Sequence, residues 1–542
     1  MNVLFLTQSL SLDMFYNLMQ IMKEAMDLDK VGFHVSDSRF FKHFKKDHPE
    51  IESFHILKEW EIIRDSRGRG HEVSSLARYE KELGRPLLWN ALVADRWIYF
   101  GKKCMYDQDY RPRYSHERML AILQVGLERI EEFFNQLQPD LVVSFQCTTL
   151  GEYVSYLVAL TRGVTFLNLR PTRIENFVYA GESILEPSER LAETYDRFLK
   201  DGIEGSLKDK AVSYVRQVRS THSMYEGVVP TSGKPPASHS PRKERLPVLG
   251  GLKRTLIGEY KHRFGEYQDD NQVSSYIGSQ MAQRIIRPWR AFLIGRRFHD
   301  LYVRASQLPD LDYAFFPLHT EPEITLSVYS KPYLNQIEAI RLFSHSLPVH
   351  MKLVVKEHPW SIGKRPLSYY RKLLEIPNVL LADPAMKSRE LVANSRLVTV
   401  IAGSIGLEAL VLKKPVIALG RVPFSFLPST AIRHVANPDS LGDNIRDLLE
   451  CHQHDETALL CYVAAVMNDS APVDFYSRLL GRKGVYRPDD GQNSKTREKE
   501  QRTAHLRILA RYIERRFGDL SRIRGQGDTS RDRAFAEQLK EQ

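Results

Sequence analysis

Two rhythms of apolar and polar positions take turns along the chain. Short apolar runs rich in β-branched residues predict strands buried on both faces. Longer stretches with apolar residues at three- and four-residue steps predict amphipathic helices. In the first part, NVLFLT (Asn2–Thr7) predicts a strand and Arg118–Gln138 a long helix. PDLVVSF follows as a buried strand, TLGEYVSYLVALTRG as a helix ended by Gly163, and VTFLNL as the next strand. From residue 309 the alternation is strict. DYAFFPL, MKLVVKEHP, NVLLADP, LVTVIAG and PVIALG predict five strands, with NQIEAIRLFSHSL, SYYRKLLEI, KSRELVANS and IGLEALVLK as the helices between them. Strand–helix–strand order of this kind predicts an α/β protein with doubly wound parallel sheets.

The rhythm divides the chain into four parts. Residues 1–190 form a first Rossmann-like domain and 309–480 a second. Between them, 191–308 reads as a helical connector with a flexible Pro/Ser/Lys-rich loop near 228–248 (VPTSGKPPASHSPRKERLP). The last part, 481–542, reads as a basic helical tail, partly disordered.

Composition narrows the class. The chain has 542 residues, 42% hydrophobic and 27% charged, which suits a globular protein of several domains. No run of about 18 apolar residues predicts a membrane span, and the first residues read as a strand and not as a signal peptide. The expected location is therefore the cytoplasm, with association at the inner face of the membrane. Cys104, Cys147, Cys451 and Cys461 are scattered without CxxC spacing, so neither a disulfide framework nor a metal site is expected. Net charge is +10, and between Gly481 and Gln542 sixteen Lys/Arg face ten Asp/Glu. A second basic cluster, RIIRPWRAFLIGRRF, sets Arg284, Arg287, Arg290, Arg296 and Arg297 among aromatic and aliphatic residues. This cluster and the basic tail suit peripheral contact with an anionic membrane, while a solvated helix face accounts for the cluster equally well. No nucleic-acid motif is present, so nucleic acid is not an expected partner.

Candidate chemistry sits where the strands end, because ligands of open α/β sheets bind beyond the carboxyl ends of the strands. Three corners of the second half should face one crevice: FFPLHTEPE with His319, Glu321 and Glu323; KEHP with Lys356, Glu357 and His358; and IAGSIGLEAL with Gly403, Ser404, Gly406 and Glu408. Glycines at a strand–helix corner allow a ligand close to the backbone, and the N–H groups there attract phosphate. Pro359 restricts His358 to an extended backbone and so fixes where its imidazole points. Lys356 lies on the same side of the strand, Glu357 on the other. In the first half, Gln8, Ser9, Thr148, Thr149 and Glu152 end strands, and Arg170 and Arg173 follow VTFLNL. Glu152 is the carboxylate there that could act as a catalytic base, and the two arginines are candidates for binding an acceptor. No GxSxG elbow occurs, which disfavours a hydrolase triad.

At these corners the chain resembles a known family. YAFFPLHTEPEI, LVVKEHPWS, NVLLADP and VTVIAGSIGLEALVLKKPVIALG, in that order, are similar to the bacterial capsule polysaccharide biosynthesis proteins, related to transferases that add Kdo or sialic acid to surface glycans. The resemblance implies a GT-B fold, with an acceptor side in the first domain and a nucleotide-sugar donor on the second. It implies a glycosyltransferase that builds a surface or capsular polysaccharide without a metal or other cofactor, from a donor such as a CMP-activated acidic sugar. It places His358 and Ser404 at the donor phosphate, Glu408 at the ribose, and the loop from His319 to Glu323 along the donor site. Where the family reads Pro-Leu-Gln, this chain has Pro317-Leu318-His319. Two other readings share the pattern: a nucleotide-sugar epimerase on the same fold, and a non-catalytic polysaccharide-binding or assembly protein.

Overall fold

Fourteen strands, numbered in chain order, form two sheets in a computed structural model. It describes residues 1–525 apart from 84–86, 102–103, 105–106, 109–111, 186–187, 222–223, 225–248, 266, 271–275 and 482–494. The first sheet takes β1 (Val3–Thr7), β2 (Val31–Val35), β3 (His55–Lys58), β4 (Leu141–Ser144), β5 (Thr165–Pro171) and β6 (Phe177–Gly181). The second takes β7 (Tyr302–Val303), β8 (Tyr313–Pro317), β9 (Lys352–Lys356), β10 (Val379–Ala382), β11 (Leu397–Val400), β12 (Val416–Ala418) and β13 (Ile432–His434). The last strand, β14 (Ala471–Pro472), returns to the first sheet.

Strand order is β14-β6-β5-β4-β1-β2-β3 in one sheet and β13-β12-β11-β8-β9-β10-β7 in the other. The pairings are parallel except those of β6 with β5 and with β14. Both sheets are doubly wound about a central strand, β1 in one and β8 in the other, so each has a switch point where the winding reverses. In the first sheet it lies between β1 and β4, and in the second between β8 and β11. The central strands are apolar throughout because helices cover both faces: every residue of β1 is buried, as are Tyr313, Ala314, Phe315 and Phe316 of β8. Register is direct, with Ala314 opposite Leu353 on one side and Leu397 on the other. The two Rossmann-like domains make a GT-B-like fold.

The strands and helices expected from 309 onward are all present. The long helix of the first domain spans His116–Leu137. The Ser115 side chain accepts from the Arg118 N–H at its start, and Gln138 adopts a left-handed φ of 47° at its end.

Two boundaries shift. The basic tail does not stand apart where it is described. After helix Glu456–Asp469 the chain crosses back, adds β14 to the first sheet, and ends in helix Lys495–Gly525. Leu506, Leu509, Ala510, Tyr512 and Ile513 of that helix join a core that includes Phe5 and Phe15. Each buried Leu or Ile side chain among them contributes about 1.5–3 kcal/mol. Tyr512 also donates to the Asp469 carbonyl at 2.7 Å and accepts from the Ala180 N–H at 2.9 Å, and Arg516 pairs with Glu182. The basic residues of this helix are thus largely its solvated face. The connector is likewise part of the second domain. Helices Glu189–Asp201 and Gly205–Thr221 pack with Glu456–Asp469, bringing Tyr195, Tyr214 and Val215 into one core with Tyr462 and Val463, and β7 extends the sheet. The loop expected near 228–248 lies outside the described residues, as do 482–494 and 526–542 of the tail.

The domains are joined at the first strand-end corner of the second. Val328, in the turn Thr325–Tyr329 that follows it, is buried in the core of the first domain. The Arg170 guanidinium lies 4.5 Å from the Tyr329 ring centroid, and Gln108 donates to the Glu321 carbonyl at 2.8 Å.

Candidate functional site

Strands β9, β8 and β11 are neighbours, so the three corners emerge side by side. The first and third touch: a side-chain carbon added at Gly403 would lie 3.2 Å from Cε1 of His319 and 3.6 Å from its Nε2. Gly403 is therefore the residue that lets this imidazole in. Nδ1 of His319 is 3.1 Å from Glu323 Oε2, while Nε2 is buried without a hydrogen-bond partner. Burial pushes the Glu323 carboxyl up, but the bond and charge of His319, with the charges of His358 and Arg173, outweigh that and hold it below the usual range. Glu323 thus marks the meeting place of two corners of the second domain with an arginine of the first.

His358 stands at the end of β9 with φ −69° and ψ 130°, the extended backbone its proline demands. Its Nδ1 accepts from the Trp360 N–H at 3.2 Å, so the neutral ring carries its proton on Nε2. Although the residue as a whole is exposed, desolvation is the largest influence on the ring and holds its pKa below the ordinary value, against the charges of Glu323 and Glu357. Near neutral pH His358 is thus a neutral hydrogen-bond donor. Lys356 is buried, its Nζ 3.4 Å from the Glu357 carbonyl, and desolvation lowers its pKa. Ser361 donates to Thr320 Oγ1 at 3.2 Å and ties the first two corners together.

A buried ion-pair network holds these two corners from behind. Arg365, 1% exposed, pairs with both oxygens of Glu357, reaches Glu321 Oε1 at 3.1 Å and donates to the His319 carbonyl at 2.7 Å. Glu357 also accepts from Tyr370 Oη at 2.8 Å and from the His358 N–H at 2.7 Å. Gln336 donates to Glu321 and accepts from the His319 N–H. Glu321, expected at the donor, instead gives its Oε1 to this scaffold because a buried carboxylate needs a counter-ion.

At the third corner, helix Ile405–Val411 follows β11. Ser404 makes no side-chain capping bond, so its hydroxyl is not spent on the helix. The helix is seven residues long, so side chains matter here more than its dipole. Gly406 has a packing reason: a Cβ would meet the Phe424 ring at 2.9 Å. Glu408 is half-buried, and desolvation raises its pKa against the charge of Arg389.

The equivalent corner of the first domain is closed. Helix Leu150–Thr161 begins there, and carboxylates fill its start. Glu152 accepts from the Thr148 and Thr149 N–H groups at 2.8 and 3.1 Å, and from the Thr149 hydroxyl and Gln8. Asp95 accepts from the Leu150 N–H at 3.3 Å and Glu59 from the Gly151 N–H at 3.0 Å. Glu152, expected as a catalytic base, is thus a buried capping-box side chain whose Oε2 is taken by the helix start. His34 is fully buried beside them, its Nε2 3.4 Å from Glu59 but not aligned as a hydrogen bond. His34, Glu59 and Asp95 gave no sign in the sequence, because they come from three separate segments and are recognisable only by burial. Of the two arginines, Arg170 is buried, bonded to Asn168 and stacked on Tyr329. Arg173, held at a left-handed φ of 66°, is the one whose charge reaches Glu323.

This carboxylate cluster predicts a pH dependence. Burial, then the Glu59 charge, pushes Asp95 up to about 7. Burial pushes Glu152 up to about 7 against the charge of His34, with Glu59 again adding to the rise. Both carboxyls hold a proton in the folded state that the unfolded chain releases near pH 4, so stability falls as pH rises from about 4 to about 7. For His34, burial lowers the pKa but Glu59, together with the charge of Glu152, more than offsets it, so the net rise acts in the same direction. Glu59→Gln keeps an acceptor for Gly151 and removes the shared charge, and should flatten the fall in urea midpoint between pH 5 and 8. An unchanged slope would refute the assignment.

Among the described residues no helix is long and apolar enough to cross a membrane, and no group of three His, Cys, Asp or Glu is placed to hold a metal ion.

Two doubly wound Rossmann-like domains, joined at the first strand-end corner of the second, define the GT-B-like class. Within it, residues 257–438 match the sequence model of the family "Capsule polysaccharide biosynthesis protein", which bears out the resemblance read from the motifs. No curated protein sequence matches the chain. Among solved structures, the β-Kdo 2,7-transferase KpsC of Thermosulfurimonas dismutans is similar at 12% identity over 62% of this chain and 80% of that one, with a TM-score of 0.32. The UDP-GlcNAc 2-epimerase of Methanocaldococcus jannaschii is similar at 11% identity over 86% and 98%, with a TM-score of 0.25. The Neisseria meningitidis enzyme of the same name, bound to UDP-GlcNAc, gives 11%, 86%, 98% and 0.26. Likeness this distant carries no function.

Proposed function

We propose that the chain is a glycosyltransferase that moves a sugar from a nucleotide-sugar to a growing surface or capsular polysaccharide. The observation that carries this reading is the contrast between the two switch points. In the first domain three acidic side chains take the helix-start N–H groups that a phosphate would need. In the second, the Nε2 proton of His358, the Nε2 atom of His319 and the Ser404 hydroxyl lie at neighbouring strand ends, and neither Ser404 nor the first-turn carboxylate Glu408 caps the helix start. The family match over the second domain supports the same assignment.

In this reading the donor phosphate lies between His358, Ser404 and Gly403, with Lys356 adding positive charge from behind the strand and Glu408 placed for the ribose. His358 donates a hydrogen bond to the departing nucleotide phosphate, where negative charge grows in the transition state. Because its ring is neutral, it acts as a donor and not as an acid. Transfer needs no metal here, since hydrogen-bond donors and lysine supply the stabilisation. Glu321 and Gly406 act as scaffold, and Glu152 as a helix cap. Arg173, across the crevice from Glu323, faces the acceptor. An acidic sugar activated by CMP suits this crevice, because its carboxylate would meet Arg173.

Thermal unfolding with CMP-, UDP- and GDP-sugars tests the reading. One nucleotide class should raise Tm, since ligand at a hundred times its Kd stabilises by about 2.7 kcal/mol. If none does, the donor site is wrong. Incubation with the donor alone separates the alternatives: an epimerase changes the sugar without an acceptor, whereas a transferase needs one.

A further inference from the structure

We propose that the face formed by helix Leu249–Phe264 and the helical run 276–298 docks onto an anionic lipid bilayer. Eight of the seventeen exposed large apolar side chains among the described residues fall between Leu256 and Phe292. On the second helical run they recur as Met281, Ile285, Trp289 and Phe292, at steps of three and four, so they form one stripe. The neighbouring helix carries Leu256, Ile257, Tyr260 and Phe264, and Glu259 joins the two by accepting from the Ile277 N–H at 3.0 Å. Trp289, Tyr260 and Phe264 are 60%, 65% and 66% exposed. A concentration of large apolar groups this open marks an interaction surface.

Charge identifies the occupant. The run from Met281 to His299 holds five arginines and no carboxylate before Asp300. Two of the five are committed inward. Arg287 donates to the carbonyls of Trp360 and Ile362 at 2.9 and 3.1 Å, and Arg290 pairs with Asp107 at 2.6 Å and donates to the Lys364 carbonyl. Arg284, Arg296 and Arg297 are exposed and form no ion pair among the described residues. Among the described residues the acidic groups nearby are spent or lie past the stripe: Glu259 on Ile277, Asp269 on Arg67, Asp270 on Ser38, Asp300 beside His299. Exposed tryptophan and phenylalanine flanked by unpaired arginine fit the boundary between lipid headgroups and acyl chains, where rings enter and guanidinium groups meet lipid phosphate. Arg287 ties this face to the Trp360–Ile362 segment, next to His358. Trp360 itself is 57% exposed. Docking therefore holds the crevice close to the bilayer, within reach of a lipid-borne ligand. The binding proposal stands apart from the transferase reading.

The test is co-sedimentation of the full chain with vesicles of phosphatidylcholine alone and of phosphatidylcholine mixed with phosphatidylglycerol. The protein should pellet with the anionic vesicles and be released by salt. The double variant Trp289→Ser/Phe292→Ser should bind at least about tenfold more weakly with an unchanged Tm. Arg296→Gln/Arg297→Gln should weaken binding to the anionic vesicles most. Val73→Ser, an exposed apolar residue elsewhere, should change nothing. Failure to pellet with anionic vesicles, or equal pelleting of the Trp289/Phe292 variant, overturns the proposal. So does a dimer in vesicle-free solution that this variant dissociates, which would assign the face to a second copy of the chain.

Discussion

Replacing Arg365 with methionine should lower the stability of the protein by about 3–5 kcal/mol, the cost of breaking a buried ion pair from one side. The guanidinium is 1% exposed, and it is the cation that both oxygens of Glu357 meet. Without it Glu357 keeps the Tyr370 hydroxyl and the His358 N–H, two donors that do not neutralise a charge out of water. The His319 carbonyl and Glu321 lose a donor in the same step. The measurement is the urea midpoint at constant m-value. The double variant Arg365→Met/Glu357→Leu should recover part of the loss, because two apolar side chains leave no stranded charge. An Arg365→Met midpoint equal to that of the parent would show that the network does not bear on stability. Because the same arginine fixes the backbone of His319, and through Glu357 that of His358, nucleotide binding should weaken along with stability.

His358→Asn should lower the rate of donor consumption about a hundredfold while leaving Tm nearly unchanged, in line with loss of one donor aimed at growing charge. Asparagine keeps an acceptor for the Trp360 N–H, as good N-cap residues do, so the corner stays folded. It loses the imidazole Nε2–H and its reach. Since the effect belongs to the departing phosphate, kcat should fall more than KM rises. Equal kcat in the variant and the parent would remove His358 from the site and leave Ser404 and His319 as its ligands.

Most of the second domain was legible in advance. Parallel strands covered on both faces must be apolar runs, so LVVK, VLLA and LVTV betray themselves, and the polar residues that end them must point into a crevice. His358 was readable because proline constrains it in one dimension along the chain. Glu321 shows the limit of that reasoning: it sits at a strand end like His319, yet Arg365, 44 positions away, decides that it serves as scaffold. The first domain was less readable, because β2 (VGFHV) carries Gly32 and His34 and β3 (HILK) is polar at both ends, so neither reads as an apolar run. The docking face was half visible. The arginine run stood out, but that Arg287 and Arg290 turn inward while Trp289 and Phe292 stay open depends on what packs beneath them.

By itself, then, the sequence determined the alternation of strands and helices, the two doubly wound domains and the three polar corners of the second. Those features follow from local periodicity and from the need to bury apolar runs. Only the tertiary structure decided that the first domain's switch point is filled. That outcome rests on Glu59 and Asp95, 92 and 55 positions from the backbone groups they bond, whose carboxylates fill the first domain's helix start. The basic C-terminal helix was settled in the same way. Its charge pattern suggested a free tail, but the apolar side it buries is defined by a partner almost five hundred residues earlier, which no local pattern can announce.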